Sequence, residues 1–323
     1  MKPLRVKKCF NGDVKSMDMN MGLPITIKLP EHFLEKEVRC GYEVSEKLKK
    51  IWAVELDLLN HLLDVCKKHN IHVQVFAGTL LGAVRHKGMI PWDDDVDVAM
   101  SRVDFNRLCV VAPQEFRHPY FFQTALNDTK FYFAYGRLRN SLTTGVVMGQ
   151  ESPDYNNGIF IDIFPLDGLS CSKMLDKVQL GLMRLLVKCC TTYNNKKRKN
   201  KGFIEICSRM LRPLIRLLPF PFWVAAYNRV LAMWTHTTER IGLRTHFRFG
   251  TKYCIMKSEL SDTIEIPFEN ILVPAPRAYN TVLTRIYGDY MTFPPAEERG
   301  KWHEGQIHFE PDIPYKEYLM SKM

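Results

Sequence analysis

The residues of this chain best suited to chemistry lie between Phe76 and Met100. Asp93, Asp95 and Asp97 alternate with Asp94, Val96 and Val98. In a strand, alternate side chains share a face, so the three carboxylates line one side at about 7 Å spacing. Their repulsion calls for a compensating cation, and hard divalent ions accept oxygens from one or two carboxylates plus substrate phosphates. Upstream stand Gly78, Thr79 and Gly82. Glycine lets backbone N–H groups approach a phosphate, and a helix starting there favours negative charge. Glycine turn, short helix and acidic strand together suit phosphoryl transfer, in which positioning and charge neutralisation dominate. A third element is Asp162, alone in the apolar run Ile159–Phe164. A buried lone carboxylate is costly, so a cation or a salt-bridge partner is expected beside it. A neighbouring strand would set it close to Asp95 and Asp97.

Around this centre, Arg85, His86 and Lys87 follow the glycine turn and are candidate phosphate contacts, with a solvated turn as the plain alternative. Arg137 and Arg139 share one strand face, and Arg137 is the expected diphosphate contact. His303 is a further candidate in the tail. An EF-hand loop from Asp93 to Asp104 is excluded, because Val98 stands where that loop requires glycine.

The elements that must position these residues are legible in outline. Helical spacing runs from Val44 to His69, with Ser45 as N-cap and a stop at Asn70. Ile25–Leu29 reads as an edge strand and Ile71–Ala77 as a buried strand. A short helix over Thr79–Arg85 follows, then a strand within Pro91–Met100. Further strands are expected at Tyr120–Gln123, Phe131–Leu138, Thr143–Met148 and Ile159–Phe164. Residues 173–240 read as helical, and the chain closes with strands at Ile264–Pro267 and Ile271–Val273 and a helix near Arg277–Tyr287. The fold class is therefore mixed α/β (α+β), a core sheet flanked by helices with an added basic helical segment. The expected divisions are an irregular segment 1–43, a catalytic core 44–170, a basic helical subdomain 171–250, and a segment 251–323 packing back on the core.

Charge is unevenly spread. The chain of 323 residues carries +10, yet residues 171–250 hold sixteen Lys/Arg against three acids. A local basic surface fits phosphates, anionic lipid or a charged polymer, and no nucleic-acid motif accompanies it. Segment 205–236 mixes large apolar residues with arginines, which fits either a membrane interface or a helical cap with a solvated basic rim. No apolar run of signal-peptide or membrane-spanning length is present. A cytoplasmic location, peripheral at the inner membrane face, is expected. Nine scattered cysteines without Cys-x-x-Cys spacing read as free thiols in a reducing compartment.

Two stretches resemble the LicD family, which includes the fukutin-related proteins. They are Ala77-Gly-Thr-Leu-Leu-Gly-Ala-Val-Arg-His-Lys-Gly88 with Ile90-Pro-Trp-Asp-Asp-Asp-Val-Asp-Val98, and Gly158-Ile-Phe-Ile-Asp-Ile-Phe-Pro-Leu-Asp-Gly168. Fainter similarity runs from about Val44 to about residue 300. The resemblance implies a nucleotidyltransferase-like core that moves a phospho-alcohol from an activated nucleotide to a glycan. In bacterial relatives this is phosphocholine from CDP-choline, placed on lipopolysaccharide, teichoic acid or a similar polymer. It implies Asp95, Asp97 and Asp162 as catalytic carboxylates and ligands of Mg²⁺ (or Mn²⁺), with Asp93 in the same acidic motif. The alternatives are an Asp-x-Asp glycosyltransferase using a nucleotide sugar, a non-catalytic membrane scaffold, and a polymerase-like nucleotidyltransferase; no nucleic-acid partner is expected.

Overall fold

A computed structural model describes residues 22–128, 130–149, 155–194, 210–245, 253–301 and 305–322. His303 lies outside them, as do residues 1–21 and 205–209. A small hairpin, β1 (Glu37–Arg39) and β2 (Tyr42–Val44), leads into α1 (Glu46–Lys68). The Ser45 hydroxyl accepts from the Leu48 amide at its start, and Asn70 adopts φ +51° just past its end, a left-handed conformation that asparagine tolerates. On the inner side of α1, Asp57 is fully buried. Its carboxylate accepts from the Thr26 and Ile27 amides at 2.8 Å each and from the Tyr120 hydroxyl at 2.7 Å. This corrects the edge strand expected over Ile25–Leu29. The segment is pinned by a side chain rather than a neighbouring strand, with Leu23, Ile25 and Ile27 inserted in the core.

The central sheet is built from β3 (Gln74–Val75), β4 (Asp97–Ser101), β5 (Tyr120–Gln123), β6 (Gly136–Asn140) and β8 (Ile159–Gly168). Between β3 and β4 lies α2 (Ala77–Arg85), and α3 (Arg102–Glu115) follows β4. β7 (Thr144–Val147) leaves this sheet to pair with a late strand. β8 is the axis: it runs parallel to β4 and antiparallel to β6, while β3 pairs antiparallel with β4. Two strand expectations are corrected. The strand after the acidic run begins only at Asp97, so Asp93 and Asp95 sit in the segment leading into it. Residues 131–135 are likewise outside β6. α3 was not evident from periodicity, because Pro113 and polar residues interrupt its apolar pattern; its signal was the Ser101 cap, which accepts from the Asp104 amide.

After β8 come α4 (Lys173–Asn194) and α5 (Phe220–Leu231). They pack on each other through Met183, Cys190, Val224, Tyr227 and Leu231. β9 (Arg240–Gly242) and β10 (Cys254–Met256) then extend the sheet beyond the end of β8. The remaining elements are α6 (Lys257–Ser261), the hairpin β11 (Thr263–Phe268) and β12 (Ile271–Pro276), α7 (Tyr279–Tyr287), β13 (Ile307–Glu310) and α8 (Tyr315–Met320). β13 returns to pair with β7, and one buried core contains residues from Leu23 to Phe309. Among the described residues no helix is long and apolar enough to cross a membrane.

A buried ion pair ties the helical layer to the sheet. Arg102 donates to both oxygens of Asp167, at 2.7 and 2.6 Å, and its remaining arm reaches Asn228 on α5 at 3.3 Å. Both charges are removed from water. Asp167→Ala strands the guanidinium and is expected to cost about 3–5 kcal/mol, measured as a lower midpoint in urea unfolding; a variant with an unchanged midpoint would show that the pair is not stabilising.

Candidate active site

Strand register brings the distant site residues into one row. Asp97 on β4 stands opposite Asp162 on β8, and Asp162 stands opposite Arg137 on β6. Register partners on neighbouring strands share a face about 5 Å apart, so two carboxylates and a guanidinium adjoin on one side of the sheet. The Val96 carbonyl accepts from the Asp162 amide at 2.9 Å, which carries the ladder back into the acidic segment. Asp93, Asp95 and Asp97 all act electrostatically on the Tyr287 phenol, so the three lie within electrostatic reach of one point.

Arg137 is the expected partner of Asp162: its Nε donates to Asp162 Oδ1 at 2.7 Å. It is buried, and its Nη2 donates to the Tyr135 hydroxyl at 3.3 Å. Burial alone would lower its pKa, but the Asp162 carboxylate outweighs this and holds it above the ordinary arginine value. Nη1 of the same guanidinium is buried with no hydrogen-bond partner among the described residues. An orphaned buried cationic donor is costly, and an anion is its natural complement. Arg139, two residues on, is differently employed. It donates to Gln123 Oε1 at 2.6 Å and to the Gly158 carbonyl at 2.5 Å, and Phe160 lies against both guanidinium groups. Burial pushes Arg139 down to about 10, still protonated at neutral pH.

The glycine turn is built differently from the expectation. Ala77, the first residue of α2, has φ +46°, a left-handed backbone that costs about 1–2 kcal/mol for a residue with a Cβ. The turn sets the start of α2 against the acidic segment. A Cβ on Gly78 would lie 3.2 Å from Asp93 Oδ2, so this carboxylate sits where the helix N-terminus favours an anion. The Thr79 hydroxyl does not face outward: it accepts from the Asp97 amide at 2.7 Å and fixes the start of β4. Gly82 is a packing glycine, since a Cβ there would lie 2.6 Å from the Gly88 carbonyl oxygen.

Arg85, His86 and Lys87 lie at the far end of α2, about 10–13 Å along the chain from Gly78 at 1.5 Å per residue. Arg85 instead donates to the Tyr290 carbonyl at 2.8 Å and to His86 Nε2 at 2.9 Å. That bond leaves the imidazole proton on Nδ1, facing Cys40 Sγ at 3.6 Å. The ring stacks on Phe293. Burial, then Arg85 and Arg39, push His86 down to about 4, so it is neutral at pH 7. Lys87 is exposed in a left-handed turn.

Two residues that the sequence did not single out face the acids. Tyr253 and Tyr287 are hydrogen-bonded to each other; burial raises both phenols above their ordinary value, and Asp97 and Asp95 raise them further. Tyr253 stands in no motif, whereas Tyr287 lies in Leu283-Thr-Arg-Ile-Tyr-Gly-Asp-Tyr290, a fainter part of the resemblance; the return of the C-terminal segment brings both to the site. Among the described residues no three His, Cys, Asp or Glu side chains form a complete cation cage. Mg²⁺ is commonly held by one or two carboxylates with phosphates and water completing its shell, and the hard oxygens of Asp97 and Asp162 fit that mode.

The family model described as LicD/FKTN/FKRP, nucleotidyltransferase domain, matches residues 70–229; the match contains the acidic segment, Arg137 and Asp162, and ends before both tyrosines. The chain is 28% identical over 275 residues to the lipopolysaccharide cholinephosphotransferase LicD of Haemophilus influenzae, covering 79% of this chain and 96% of that protein. It is 40% identical over 73 residues, 23% of each chain, to an uncharacterized protein of Rickettsia typhi. A Rickettsia prowazekii protein, also uncharacterized, is 42% identical over 57 residues.

The depressed His86 has a pH signature. An unfolded chain takes up the imidazole proton near 6.5, whereas the folded one refuses it until about 4. Stability linked to this ring is therefore complete above 6.5 and is lost as pH falls toward 4. His86→Gln removes the linkage, so the wild-type melting temperature should fall relative to the variant between pH 6.5 and 4. Parallel curves across that window would show that the ring does not titrate as argued.

Proposed function

We propose that this chain, a member of the LicD family, transfers phosphocholine, or a closely related phospho-alcohol, onto a sugar hydroxyl of a lipopolysaccharide-type acceptor. We take the donor to be a nucleotide-activated alcohol of the CDP-choline type. The observation that carries this reading is the row Asp97–Asp162–Arg137, in which a buried guanidinium nitrogen without a partner among the described residues stands beside two adjacent carboxylates. That combination suits a diphosphate: Arg137 binds its oxygens, and the carboxylates hold a divalent cation.

Asp97 and Asp162, with Asp95 in the segment just before β4, are the residues that would hold Mg²⁺ (or Mn²⁺), two of them at a time with phosphates and water completing the shell, and the cation would supply charge neutralisation at the phosphate oxygens. The rest falls to the chain itself. Arg137 orients the donor and stabilises charge that grows on its phosphate oxygens in the transition state. Thr79 keeps the Asp97 backbone in register. As the acceptor hydroxyl attacks phosphorus, the bond to the bridging diphosphate oxygen breaks and the nucleoside monophosphate leaves. The hydroxyl proton passes to a carboxylate, and Asp162 is our choice, because Arg137 fixes its orientation through Oδ1. A lipid-linked acceptor sets this reaction at the cytoplasmic face of a membrane, with the protein as a peripheral visitor.

Isothermal titration of CDP-choline, CDP-ribitol and UDP-sugars, with and without Mg²⁺, is the direct test. The expected result is Mg²⁺-dependent binding of a CDP-alcohol that Asp95→Ala/Asp97→Ala abolishes, with turnover reduced at least about 100-fold. Binding of UDP-sugars alone would replace this reading with a glycosyltransferase.

A further inference from the structure

We propose that the outer face of α4 is a docking surface for an anionic lipid bilayer. At about 100° per residue, three stripes run along this helix. Gln179, Met183, Leu186 and Cys190 face α5 and the small cores beneath. Met174, Val178, Leu182 and Leu185 form a second stripe that faces outward, 71%, 54%, 39% and 59% exposed. Lys173, Lys177, Arg184 and Lys188 make the third, on the far side of the apolar stripe from the core. The single acid of the helix, Asp176, is bound by Arg244, so among the described residues of α4 no unpaired carboxylate stands among the outward side chains.

The neighbouring segment continues the pattern. Leu214 and Leu217 are 63% and 77% exposed, and Phe222 is also exposed. Arg212 and Arg216 donate to the carbonyls of Thr192 and Tyr193 at the end of α4, which satisfies orphan acceptors there and holds the two helical pieces together. Twelve of the 23 exposed large apolar side chains among the described residues lie between 174 and 233. Such concentration on one layer marks an interaction surface.

Charge selects the occupant. Among the described residues of 171–250, nine Lys/Arg stand against two acids, Asp176 and Glu239. A second copy of this chain would bring like charge against like charge. A nucleic acid would satisfy the lysines but leave the apolar stripe facing water. An interfacial helix has this division: apolar side chains sink into the acyl boundary while lysine and arginine stems reach up to lipid phosphates. The negative surface potential of an anionic leaflet adds long-range attraction.

The test is co-sedimentation of the full chain with vesicles of phosphatidylcholine, alone or with about one quarter phosphatidylglycerol. The wild type should pellet with the anionic vesicles and detach as salt rises. Each basic residue near the surface contributes about fivefold in affinity, so Lys177→Gln/Arg184→Gln should weaken binding about 25-fold. Leu182→Asp/Leu185→Asp should leave the protein in the supernatant. Both variants alter exposed side chains, and an unchanged melting temperature checks that they fold. A wild type that stays in the supernatant overturns the proposal, as do variants that pellet like the wild type. So does a wild-type dimer in sedimentation velocity that the aspartate variant dissociates. The surface rests on the reading of a lipid-linked acceptor, yet vesicle binding is measured without donor or acceptor. Binding without transfer would sink the catalytic reading alone; transfer to a water-soluble acceptor without binding would sink this one alone.

Discussion

The parallel pairing of β4 with β8, in the register that sets Asp97 beside Asp162, is the constraint on which the site depends. Side chains of a strand alternate, so a slip of one residue would send Asp162 to the opposite face and leave Ile161 or Ile163 beside Asp97. The apolar neighbours prevent it: Ile161 and Ile163 are fully buried, and a slip would expose both. The register is thus enforced by hydrophobic burial on one face, while the chemistry sits on the other. Adjacent carboxylates are tolerated because Arg137 occupies the next position in the row, supplied by the antiparallel strand on the opposite flank.

Beside that row a connected polar network holds a second buried arginine. Arg139 has no carboxylate of its own and is satisfied by Gln123, the Gly158 carbonyl and the Tyr155 hydroxyl. Gln123 in turn donates to Asp128. A connected network of this kind holds a buried charge without releasing it to the surface. It also separates two arginines that look equivalent in sequence: Arg139 has its donors absorbed by the fold, and Arg137 keeps one for something else.

The local elements were the most legible part of the sequence. Ser45 and Asn70 bound α1 as their chemistry requires, Tyr120–Gln123 is a strand, and the Asp162 strand is present, though it continues to Gly168. The pairing of Asp162 with a cation was readable from the cost of a lone buried carboxylate. What was not legible was direction. Thr79 and Gly82 both lie in α2, but the sequence does not say that one hydroxyl binds a backbone amide or that one Cβ would strike a carbonyl. Arg85 and His86 were close to the site in sequence and are separated from it by the length of a helix. Tyr253 and Tyr287 are the opposite case, distant in the chain and adjacent in space, which no spacing rule can find.

The return of the C-terminal segment has a consequence for how this molecule comes into being. β13 closes on β7 across more than 150 positions of chain, and the tyrosines beside the acids are among the later residues. A nascent chain emerging from the ribosome can form α1, α2 and the central strands while the site still lacks one wall. High sequence separation of this kind slows folding, because loop closure comes before the contacts that compensate it. The stretch that bears the family's pattern is therefore packed against later residues that lie outside it. It is the middle of a structure whose beginning and end must both arrive before the carboxylates acquire their surroundings.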